Sequence, residues 1–381
     1  VDEDGLVYPL QKGFNMITDY GMDNACNQGS PYYWFPGMAF TISEAQTPLK
    51  RLPDNLQLTI TVTDPLTIQA QSSEGFFVEQ DVGRTLYIDG FQELVITEYV
   101  NSTTVNCQAR GGKWIPGLEL SSGTYSNWGI HYTNTEKVES KIATSWSDDP
   151  YDEEPSGWDK NNRCYVYVTD VISGILENGA TVRTIAWGTT SADQSSAKGL
   201  IALQNPDVIP PGKKYRIKLR IKLGIPAEDF FITANNVDLG PYVGTVNLQA
   251  KVTGYSSWGK CFYWPGTVDD GLGILPSDKQ NWTEYFYGVD GVPEDLPMIA
   301  QGVISRGSYQ NGTFMRQKTI EFPSNKEITD QQWFYTGFYS DAANNDLDLD
   351  FIIYFDQPIS KQLDVWFKLT FETYLRRQLI N

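Results

Sequence analysis

The sequence predicts an all-β protein, an antiparallel sandwich of the jelly-roll type with long loop excursions and room for a projecting subdomain. Three observations predict it. Apolar and polar residues alternate with a period of two in run after run. Clusters of Gly, Pro, Asn, Asp and Ser punctuate those runs. No long amphipathic helical pattern interrupts them.

The first clear strand is carried by Leu56, Leu58, Ile60 and Val62, which interleave with Gln57, Thr59, Thr61 and Thr63. That pattern gives one buried face and one polar face. Shorter candidates follow at 93–99, 163–169 and 182–187. A run from Tyr215 to Leu223 sets Tyr215, Ile217, Leu219, Ile221 and Leu223 against Arg216, Lys218, Arg220 and Lys222. Further candidates lie at 245–253, 313–321, 332–339 and 348–355. The last run places Leu363, Val365, Phe367, Leu369 and Phe371 on one face. Asn178-Gly179, Asn205-Pro206-Asp207, Pro210-Pro211-Gly212 and Asn311-Gly312 supply turns between runs. One short helix is expected over 170–178, with Asp170 as its N-cap and Gly179 just past its end. The reading is of one shell-like domain over 1–381, with loop or projection insertions at 110–162 and 254–300. Loops of that length in a compact β domain usually carry function or an interface.

The 381 residues can bury a large core. The net charge of −18 keeps copies apart and excludes nucleic-acid binding through the overall field, so any such contact needs a local basic patch. The chain opens on Val1 rather than Met, which fits a processed chain or one preceded by a further segment. No apolar run reaches the roughly 18 residues of a membrane-spanning helix, and no signal peptide is visible, so no membrane partner is expected. Cys26, Cys107, Cys164 and Cys261 are widely spaced, without a CxxC pair, which points to a reducing compartment rather than a zinc or redox site. Asn101, Asn281 and Asn311 head N-x-S/T triplets, which matter if the chain is secreted.

Catalytic chemistry finds little support. His131 is the only histidine. Any Ser-His-Asp or Cys-His arrangement must use it, and no nucleophile motif lies beside it. The bland reading of His131 is a packing residue. Paired carboxylates of the glycoside-hydrolase kind are always conceivable among 47 acidic residues, but no spacing singles out a pair. The chain is therefore expected not to be an enzyme.

Three constellations remain. Lys213, Lys214, Arg216, Lys218, Arg220 and Lys222 fall within ten positions, and four of them share one strand face. On an acidic chain this stripe suits phosphates, sulfated glycans or an acidic partner. The competing reading is an edge strand kept soluble by its charges. Arg376 and Arg377 extend the patch if the last strand pairs nearby. Asp346, Asp348 and Asp350 alternate at the start of a strand, either as a solvated junction or as oxygen ligands for calcium. Aromatic clusters at Tyr32–Phe35, Trp258–Trp264 and Trp282–Tyr287 are either core or contact surface.

The final run, Leu363 to Tyr374 followed by Arg376-Arg377, looks like the last barrel strand of a small icosahedral capsid. The strand Lys214–Leu223 after Pro210-Pro211-Gly212 looks like a basic strand facing a capsid interior. The chain thus resembles jelly-roll capsid proteins of the nodavirus kind and of small circular single-stranded DNA viruses such as bacilladnaviruses. The resemblance implies a virion subunit, assembled inside a host cell into a large homo-oligomer. It implies viral nucleic acid as cargo at the stripe, calcium at Asp346, Asp348 and Asp350, and a host-cell receptor of unknown kind. No arginine-rich arm is visible in this sequence. The alternative reading is a secreted or surface carbohydrate-binding or adhesion β-sandwich, with a glycan hydrolase third.

Overall fold

The computed structural model describes residues 14–28, 38–115, 117–135, 138–148, 157–159, 164–189, 197–224, 232–240, 244–252, 270–274, 303–306, 309–322, 328–341 and 346–377. These residues form five antiparallel sheets and one α-helix, so the protein is an all-β sandwich. A central sheet has the order β1 (Phe14–Ile17), β16 (Ala197–Ile209), β15 (Ala180–Thr189), β2 (Met38–Ser43), β11 (Lys141–Ile142). An outer sheet joins β12 (Trp146–Asp148) and β13 (Gly157–Asp159) to β14 (Cys164–Ser173), which also pairs with β17 (Arg216–Gly224).

The chain between β2 and β11 builds an eight-stranded sheet of its own. Its order is β3 (Lys50–Arg51), β10 (Trp128–His131), β6 (Thr85–Ile88), β7 (Leu94–Asn101), β8 (Thr104–Ala109), β5 (Thr67–Ser72), β4 (Leu58–Asp64), β9 (Gly123–Tyr125). The remaining two sheets are β18 (Ile232–Asp238), β19 (Thr245–Val252), β24 (Asp346–Lys361), β23 (Ile328–Asp341), β20 (Asp270–Ile274), and β21 (Val303–Arg306), β22 (Met315–Phe322), β25 (Phe367–Tyr374).

Three apolar clusters among the described residues pack the central sheet, the outer sheet and the insert. Phe40, Ile42, Ile185, Trp187, Ile201 and Leu203 of the central sheet meet Val171, Ile217, Leu219 and Ile221 of the outer sheet. The other face of the central sheet, through Met16, Ala186 and Leu200, packs on Leu49 and Tyr87 of the insert. The central sheet is thus covered on both sides. The insert has a third cluster within it, built on Leu58, Ile60, Ile68, Leu86, Leu94, Ile96, Val105 and Trp128. Segment 110–162, expected as a loop excursion, carries the short strands β9 to β13.

The helix expected at 170–178 is absent. Asp170 lies inside β14, paired in register with Lys218. The β-branched run Val166, Val168, Thr169, Val171 and Ile172 favours strand, and Gly179 turns the chain in the left-handed region at φ 72°. The one α-helix among the described residues forms elsewhere, over Asp19–Gln28. Thr18 caps it, its hydroxyl accepting from the Gly21 N–H at 3.0 Å. Met22, Ala25 and Cys26 then fall on one face and are buried in the main cluster. Gly21 is needed there, because a Cβ would sit 2.0 Å from the Lys198 carbonyl oxygen.

Candidate polyanion interface

Strand β17 carries the basic stripe, and its pairing with β14 sets the geometry. Leu219 lies opposite Thr169 and Ile217 opposite Val171, with Ile217, Leu219 and Ile221 turned into the core. Arg216, Lys218, Arg220 and Lys222 lie opposite Ile172, Asp170, Val168 and Val166, on the side facing away from the central sheet. Alternate residues recur about 7 Å apart along a strand, so the cations form a line rather than a cluster.

They are not equivalent. Lys218, Arg220 and Lys222 are exposed, as is Lys214, whereas Lys213 and Arg216 are half-buried. The Arg216 guanidinium forks onto Asp170, with Nε 2.8 Å from Oδ1 and a second bond from Nη2 to Oδ2. The Asp170 side chain has no exposure, so the carboxylate end of this pair is shielded from water. It also fixes Arg216 in place beneath the line of exposed cations. Burial, followed by the hydrogen bond to Asp207 at 2.7 Å, drives the Tyr215 hydroxyl well above the usual phenol range. Tyr215 thereby anchors the start of the strand on its core side.

Arg377 does not extend this patch. The strand that precedes it, β25, pairs with β22. Arg377 itself is buried and bonds to Glu93 and Asp19, with Nη2 to Glu93 at 2.6 Å and Nη1 to Asp19 at 2.7 Å. Arg110 joins the same group through Glu93 at 2.9 Å and Thr85 at 2.7 Å. Both guanidiniums lie over the Phe314 ring, at 4.8 and 5.1 Å from its centre. Burial opposes ionisation of Glu93, but the facing charges of Arg377 and Arg110 overcome it and hold the carboxyl at about 2. This knot joins the helix, the insert and the C-terminal segment, and sequence reasoning missed it. No local signal marks it, since Glu93 and Arg377 stand 284 positions apart.

The other expected sites divide as follows. His131 is buried in β10, edge-on to Tyr87 at 5.4 Å between ring centres. Asp346, Asp348 and Asp350 open β24, where a register shift between Thr336 and Gly337 falls opposite Asp350. Their side chains lie outside the described residues, as do the three aromatic clusters. Among the described residues no group of three or more metal-ligating side chains assembles. No helix there is long and apolar enough to cross a membrane. Comparison with known protein families, curated proteins and solved structures finds no match to this chain.

Proposed function

We propose that the chain is a structural subunit that assembles with its own copies into a closed, capsid-like shell around nucleic acid. The observation that carries this reading is the line of exposed Lys218, Arg220 and Lys222 on an outer sheet of a chain with net charge −18. A surface cation line tracks a phosphate backbone without reading bases, which suits packaging rather than recognition. The layered sheets behind it give a rigid wall, and rigid walls reuse the same contacts in closed symmetric assemblies.

Sedimentation and particle imaging of the purified protein test assembly. A uniform megadalton particle that absorbs as nucleoprotein is expected. The variant Lys218→Glu/Arg220→Glu/Lys222→Glu should keep the circular dichroism of the parent and yield particles without nucleic acid. A parent that stays at one or a few chains under assembly conditions overturns the shell. Full packaging by the triple variant overturns the role of β17.

A further inference from the structure

We infer that the turn at 363–366 of one copy docks onto the arginine-held turn around Asp81 of a second copy, as a head-to-tail contact between chains. The inference rests on the assembly reading above and names one contact within it. Two groups of large exposed apolar side chains stand out among the described residues. The first lies between β24 and β25, where Leu363 is 55% and Trp366 60% exposed. Asp364 between them is exposed too, and its φ of 66° takes the backbone out of the extended conformation. The second group is Leu52, Val78 and Val82 in the insert. Its three members flank the buried Asp81 of a short 3-10 turn, Glu79–Asp81. Asp81 accepts from the Val78 N–H at 2.9 Å, from Arg84 at 3.1 Å and from Arg51, the residue before Leu52.

Charge decides which surface meets which. Two guanidiniums share one carboxylate at Asp81, so a positive charge is left over there. Lys50 and Glu79, exposed on the same two segments, offset each other. The turn at 363–366 carries the opposite sign through Asp364. A contact between two copies of the 363–366 turn would bring carboxylates together, and one between two arginine turns would bring surplus cations together. The pairing of unlike surfaces satisfies both and buries the two apolar groups against each other. Arg51 and Arg84 are half-buried, and each lies over one ring, Phe76 at 4.7 Å and Tyr132 at 3.8 Å. A guanidinium has two faces, so a further ring such as that of Trp366 can stack on the second. Trp and Arg are the residue types that dominate such contacts. A contact between unlike surfaces repeats from copy to copy and closes where the rotation allows, as a shell requires.

Full-length Leu363→Cys and Val82→Cys variants, purified separately and mixed under mild oxidation, test the contact directly. A disulfide joining the two different variants is expected, with little between copies of the same one. In sedimentation, Leu363→Ser/Trp366→Ser should weaken association of copies about tenfold or more while keeping the parent's circular dichroism. Asp364→Lys should weaken it as well, and Asp364→Lys/Val82→Glu should recover part of the loss by restoring an opposite-charge pair. Undiminished association in the Leu363/Trp366 variant overturns the contact and leaves the shell reading standing. So does crosslinking that is equal between like and unlike variants, or a charge-exchanged variant no better than Asp364→Lys alone. A parent that never associates overturns both.

Discussion

Arg110 and Arg377 meet over the Phe314 ring, whereas Arg220 and its lysine neighbours lie along β17 of the outer sheet. The first pair is buried, each guanidinium matched to Glu93 and Asp19 and laid over Phe314. The second group is exposed along β17, and Arg216 at its end reaches down to a fully shielded carboxylate, Asp170. The same side-chain chemistry therefore does two jobs. Where two carboxylates converge on two guanidiniums, charge is neutralised and three parts of the chain are tied together. Where cations line up along β17, their side chains reach the solvent-exposed surface. Arg216–Asp170 stands between the two regimes, with a shielded carboxylate like the first and a half-buried guanidinium located in the second.

Breaking the knot should have the largest effect. Glu93→Gln leaves two buried guanidiniums facing one carboxylate and should cost about 3–5 kcal/mol in denaturant unfolding. The pH dependence has a definite sign. Glu93 sits at about 2 in the folded chain against an ordinary 4.5, so it contributes stability in full above pH 4.5 and loses it as pH falls toward 2. The variant should flatten that acid limb, and an unchanged limb would mean that the knot is not coupled to folding. Asp170→Asn sharpens the contrast. It should lower stability by about 2 kcal/mol, since a charge-assisted fork is lost. It should also tighten binding to a model polyphosphate, because the Asp170 charge no longer offsets Arg216. Equal or weaker binding would show that Arg216 plays no part in the surface field. The smallest effect is expected from Thr18→Ala, about 1 kcal/mol through the lost cap of the helix that presents Asp19.

Strand positions were legible because alternation is a local property. The runs at Leu56–Thr63 and Tyr215–Leu223 correspond to β4 and β17, and their polar sides are the exposed ones. The stripe itself was legible for the same reason. The helix was not, because Gly21, Asn24 and Asn27 are weak helix formers, and only tertiary burial of Met22, Ala25 and Cys26 offsets them. The threonine cap and that spacing were the available signal. Asp170 misled because an Asp before an apolar stretch reads as a cap, while its true partner lies 46 positions away. Arg377 misled in the same way: adjacent arginines look like surface charge until distant Glu93 and Asp19 close on one of them. Local pattern specifies which face a side chain takes, and it does not specify which remote group meets it there.

The insert leaves the central sheet at Ser43 and returns at Lys141, and these two residues are register partners where β2 meets β11. Joining two such short strands across an unstructured stretch of residues 44–140 would carry a closure penalty of about 4 kcal/mol, more than a two-residue strand returns. With the insert already folded, its ends are held side by side, as the bond from the Glu44 N–H to the Ser140 carbonyl at 3.3 Å shows. The central sheet is therefore expected to gain its last strand late in folding, once the insert has formed. A lesion deep in the insert would then appear first as a slow refolding phase of the central sheet.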